Sequence, residues 1–152
     1  MRWITRAIQS QDGFTLAEAL TAAAVVAIAL VGMAIAVPTA NYGVGQGHLM
    51  STAAFLAEQR LEEVRSAEWT SVDPVKDEAR VGNPSPDFPS ENYGTIAGYG
   101  TFRRAVTITA APGNPNLRQV TVSVFYFPLT GGGGAAPTEQ NVTLTTLIAL
   151  RQ

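Results

Sequence analysis

Glu18 is the only charged side chain between Phe14 and Val37, a 24-residue stretch otherwise composed of apolar and small residues. An acid held near the centre of an apolar helix in a membrane costs about 2.5–3.5 kcal/mol on insertion scales, less where it snorkels to the interface. A carboxylate at that place calls for a counter-charge. Cleavage between Gly13 and Phe14 would create one, as a new α-amine on Phe14. Glu18 lies one helical turn from that amine, within reach of it on the same chain or on a neighbouring one. Two charges that are costly to bury singly then form a pair, which a low dielectric strengthens.

The other reactive side chains form no catalytic set. There is no cysteine, which excludes disulfides and thiolate metal sites, and the lone histidine, His48, has no acid or nucleophile arranged around it. No G-x-S-x-G, H-E-x-x-H or Walker pattern is present, so we read the chain as a non-enzyme without cofactor or metal. The glycines of "GVGQG", Gly43, Gly45 and Gly47, follow no strand and precede no Gly-Lys-Ser/Thr, so they read as a breakable joint rather than a phosphate cradle. Asp73, Asp77 and Glu78 raise the question of calcium but lack EF-hand spacing and read as solvated loop acids. Asn141-Val142-Thr143 matches a glycosylation sequon only formally.

The elements that must position Glu18 begin with a short polar leader, Met1 to Gly13, carrying Arg2, Arg6 and Asp12. Residues 14–37 follow, about 36 Å long as a helix, enough to cross a hydrocarbon core of about 30 Å. Both leader arginines precede the span and the next cation is Arg60, so the N-terminus is expected in the cytoplasm and the bulk of the chain outside. A secretory signal ending at Ala34-Ile35-Ala36 and a plain signal anchor also fit the hydropathy, but both leave Glu18 unexplained. Thr15, Ala19, Ala23 and Ala27 recur every four residues, a ridge of small residues that lets helices approach closely in lipid.

Gly13-Phe14-Thr15-Leu16-Ala17-Glu18-Ala19-Leu20 resembles the G-F-T-L-x-E-x-L signature of the type IV pilin superfamily, which includes the pseudopilins of type II secretion. The resemblance implies cleavage after Gly13 by a membrane prepilin peptidase and N-methylation of Phe14. It also implies an assembly salt bridge from Glu18 to the Phe14 amine of an adjacent subunit. The implied partners are other pilin or pseudopilin subunits, the peptidase and an inner-membrane assembly platform. The implied location is the inner membrane, single-pass, and then a pilus or periplasmic pseudopilus. "AAFLAEQRLEEVRSAEW" further resembles the helix of PilV-type minor pilins and I-type minor pseudopilins, which points to a minor subunit.

Beyond the span, Pro38 together with Gly43, Gly45 and Gly47 predicts an end or kink in the first helix. Helical spacing returns from Leu49 to about Trp69. Ala53, Leu56, Ala57, Leu61, Val64 and Ala67 form an apolar stripe, while Glu58, Arg60, Glu62, Glu63, Arg65 and Glu68 occupy the solvated faces. Residues 70–100, rich in proline and glycine, predict a long connection. Period-two alternation predicts strands at Phe102–Ala110, Leu117–Phe127 and Val142–Leu150, with "PGNPN" as the first turn and Arg104 as an exception on an apolar face. The expected fold class is α+β, a long N-terminal helix packed on a C-terminal antiparallel sheet of three or more strands. The expected organisation is leader 1–13, assembly helix 14–37 and α+β domain 38–152.

Two other functional classes compete with a filament subunit. One is a binding module for adhesion or DNA uptake, hinted at locally by the doublet Arg103-Arg104. The other is a membrane-anchored or secreted domain unrelated to filaments. The net charge of −2, or −3 without the leader, argues against nucleic acid as the main ligand.

Overall fold

The computed structural model describes residues 15–70, 72–131 and 134–151. The chain divides into two units, Met1–Thr39 and Ala40–Gln152.

Helix α1 spans Leu16–Ser66 and supplies helix to both units. In the first unit it is long and apolar enough to cross a membrane, and every large apolar side chain from Leu16 to Val37 is more than half exposed. Of the expected end or kink, the end does not occur: α1 continues as helix through Pro38, Gly43, Gly45 and Gly47. Pro38 removes one backbone donor, a defect limited to one turn, and the Thr39 hydroxyl donates to the Ile35 carbonyl at 2.9 Å beside it. Each glycine costs roughly 1 kcal/mol relative to alanine, which burial of the following turns outweighs. Gln46 also ties this region down, donating to the Leu129 carbonyl at 2.8 Å. Gly45 has a packing role, since a Cβ there would stand 2.8 Å from Leu129 Cδ1.

In the second unit α1 buries Ala53, Leu56, Ala57 and Val64 on a three-stranded antiparallel sheet, the α+β arrangement expected. Strands β1 (Phe102–Ala111), β2 (Asn114–Tyr126) and β3 (Gln140–Ala149) lie in the order β1-β2-β3. Pro112 and Gly113 connect the first two, and Gly113 has φ 79°, a conformation open to glycine. Val106 pairs with Val122, which pairs with Leu144, so one apolar row crosses the sheet beneath the helix. Val106, Ile108, Val120, Val122 and Val124 are wholly buried. Val142, Leu144 and Ile148 on β3 are only partly covered.

Trp69 closes the C-terminal end of α1. It is buried, and its indole N–H donates to the Val64 carbonyl at 2.8 Å, satisfying one of the helix's last acceptors. The connection that follows contains a short helix, α2 (Pro74–Ala79), capped by the Asp73 carboxylate, which accepts from the Lys76 N–H at 3.2 Å. Farther on, the connection lines the outer edge of β1. Gly82 exchanges backbone bonds with Ile108, and Glu91 exchanges them with Arg104.

Candidate functional site

The first candidate site is the N-terminal turn of α1. Gly13 and Phe14, the expected cleavage and methylation residues, lie outside the described residues, as does the leader. Thr15 precedes the helix and caps it: its hydroxyl accepts from the Glu18 N–H at 3.2 Å, and its carbonyl accepts from Glu18 and Ala19. Thr15, at the cap, and Ala19, Ala23 and Ala27 along the helix are all exposed. Thr15 and Glu18 have the Thr-x-x-Glu spacing of a capping box, a signal present in the sequence that the ridge reading passed over. Glu18 therefore sits where the positive end of the helix dipole favours a carboxylate. The nearby hydroxyl of Thr21 is satisfied within the helix by the Glu18 carbonyl at 2.9 Å.

The second candidate is the charge set of the α+β unit. Arg104 and Arg60 converge on Glu91 from β1 and α1. Arg104 binds the Glu91 carboxylate through Nε and, at 3.1 Å, through a second guanidinium nitrogen. Arg60 stands 3.9 Å from Glu91, 2.7 Å from Glu63 and 5.5 Å from the centre of the Phe88 ring. Arg60 and Arg104 are each 8% exposed. This corrects the expectation that Arg60 lies on a solvated face: Glu63 pairs with it on the helix, and Phe88 and Glu91, far along the chain, cover it. The hydrogen bonds from Arg104 hold the Glu91 carboxyl below its usual range against the opposing effect of burial.

Arg103 points to the other face of the sheet. It grips Glu139 bidentately, at 2.9 and 2.6 Å, and lies 3.7 Å from the centre of the Phe125 ring. The Tyr93 hydroxyl donates to the same carboxylate at 2.7 Å. Arg103 and then Tyr93 hold Glu139 down at about 2. Burial, followed by the bond to Glu139, pushes the Tyr93 phenol up to about 12. The doublet is thus split between two internal carboxylates rather than presented jointly to a phosphate.

The loop acids are also engaged, each in a different place. Asp73 caps α2. Asp77 is wholly buried, accepts from the Thr70 N–H at 3.1 Å and lies 3.7 Å from Arg80. Glu78 pairs with the buried Arg118. The expectation that they are simply solvated fails for Asp77. His48 is exposed on α1.

No family model, no curated protein and no solved structure matches this chain.

Proposed function

We propose that the chain is a structural minor subunit of a type IV pilus or a type II secretion pseudopilus. In this reading a prepilin peptidase cuts after Gly13 and methylates Phe14. The subunit rests in the inner membrane with its N-terminus cytoplasmic, and an assembly platform draws it into a filament with other pilin-like chains. The observation that carries the reading is the single acid in the first turn of an exposed apolar helix, directly after Gly13-Phe14. An amine on Phe14 would adjoin the helix cap at Thr15, where the dipole disfavours a cation, and Glu18 offsets it. A neighbouring subunit's amine gains from the same carboxylate, which gives the helix an axial register in a bundle.

The DNA-uptake alternative loses its local hint, because Arg103 and Arg104 are both committed to carboxylates. The test is Glu18→Ala in the producing cell. Membrane levels stay normal while recovery in sheared or overproduced filaments drops at least about tenfold, the ratio that about 1.4 kcal/mol sets. Recovery at the wild-type level contradicts the proposal.

A further inference from the structure

Exposed apolar side chains continue along α1 past the point where a membrane span would end. A hydrocarbon core of about 30 Å takes about twenty helical residues, and the twenty that follow Glu18 end at Pro38. The headgroup layer beyond adds about 5–8 Å. Tyr42 and Val44 come about 6 and 9 Å along the helix past Pro38, and both are exposed, Val44 at 74%. The segment after β2 is brought against the same turns. A Cβ on Gly45 would stand 2.8 Å from Leu129 Cδ1. Gln46 Nε2 donates to the Leu129 carbonyl at 2.8 Å and to the Tyr42 hydroxyl oxygen at 3.1 Å. Phe127, two residues before Leu129, is exposed on one side and stacks on Tyr93 with 5.5 Å between ring centres. Among the described residues none accepts the Tyr42 hydroxyl proton.

We propose that Tyr42, Val44, Phe127 and Leu129 form a foot by which the α+β unit rests in the phospholipid headgroup layer of the outer leaflet. The occupant follows from continuity with the span. Tyr42 is only four residues past Pro38, so a span that crosses the bilayer delivers it to the headgroups, and the Gln46 and Gly45 contacts carry Leu129 and Phe127 with it. The side chains suit that layer. An aromatic ring with a hydroxyl packs its body on the upper acyl carbons and donates its proton to a phosphate or ester oxygen. Val44, Phe127 and Leu129 add apolar area that the same depth removes from water. The contact needs no anionic lipid, because these four residues carry no charge. A second attachment beside α1 holds the unit down on the bilayer instead of leaving it to swing on one helix. The inference rests on the single-pass membrane reading and not on the filament reading.

Single cysteines report depth, because the chain has none of its own. Ile28→Cys lies within the span, and Ala135→Cys lies on the foot, opposite Leu129. Thr109→Cys is the control: it pairs with Gln119, eight residues along the chain from Phe127, or about 27 Å of strand. Each thiol carries a fluorescent label in the full chain, reconstituted in phosphatidylcholine nanodiscs with a nitroxide on either the acyl chain or the headgroup. We expect the acyl nitroxide to quench the Ile28 label, and the headgroup nitroxide to quench the Ala135 label at least about threefold more than the Thr109 label. The double variant Tyr42→Ser/Phe127→Ser should bring the Ala135 label down to the Thr109 level, and each single substitution part of the way. Equal quenching at Ala135 and Thr109, with Ile28 still quenched, overturns the foot and leaves the span standing. Quenching at Ala135 that survives the double substitution also overturns the foot, since the tether alone then accounts for the depth. An Ile28 label beyond reach of the acyl nitroxide overturns the span and the foot together.

Discussion

Replacing Glu91 with glutamine removes the counter-ion of the buried Arg104 and the more distant of the two carboxylates beside the buried Arg60. The Arg104 and Arg60 side chains are 9% and 10% exposed, and that of Glu91 is 26% exposed. Breaking a buried pair by deleting one partner costs about 3–5 kcal/mol, and partial exposure of Glu91 lowers this to about 2–3 kcal/mol. The α+β unit is of a size for which each kcal/mol moves the melting temperature by about 4–8 °C, so the expected loss is roughly 10–20 °C. Thermal unfolding of the full chain in detergent, followed by near-ultraviolet circular dichroism, reads this out. The pH dependence gives an independent check. The folded-state pKa of Glu91 is depressed, so its stabilisation is complete above the unfolded value of about 4.3 and is lost as pH falls through the folded one. The gap between wild type and variant should therefore be level from pH 7 to 5 and close at lower pH. A melting shift under about 3 °C at pH 7, or a gap that persists in acid, refutes the pairing.

Gly43→Ala and Gly47→Ala, where an added Cβ meets nothing within 4 Å, should each stabilise the helix by about 1 kcal/mol, seen as melting shifts of several degrees. Gly45→Ala should gain less, because Leu129 must move. If filament entry requires this segment to open, the double variant Gly43→Ala/Gly47→Ala will be more stable yet poorly incorporated, which immunoblots of filament fractions measure. Tyr93, at about 12, should stay protonated as pH rises past 10, and Glu139→Gln should return it toward 10. The difference at 295 nm between each chain and its Tyr93→Phe counterpart shows this. With the folded value raised, the phenol's contribution to stability is intact below pH 10 and disappears as pH climbs through about 12.

The sheet was legible where side-chain period alone decides it: Val120, Val122, Val124 and Tyr126 all face the core as their alternation requires. Arg104 announced itself as a break in such a pattern, although its partner, Glu91, could not be read from it. Arg60 was less visible. A cation between helical turns looks solvated until Phe88 and Glu91 fold over it, and nothing local predicts that. Pro38 and the three glycines do not end the helix, because the roughly 1 kcal/mol cost of each glycine and the roughly 3 kcal/mol cost of the proline yield to packing of the turns that follow. The capping role of Thr15 was written in the Thr-x-x-Glu spacing itself. The Arg103–Glu139–Tyr93 cluster joins positions from three separate segments, a juxtaposition that only the folded chain reveals.

The central claim concerns how the chain begins after processing, and intact mass spectrometry of the protein from its own host measures that directly. A mature N-terminus at Phe14 carrying one added methyl group is the predicted result. An N-terminus at Val37, or an uncut leader in assembled material, would leave Glu18 without the amine that accounts for it.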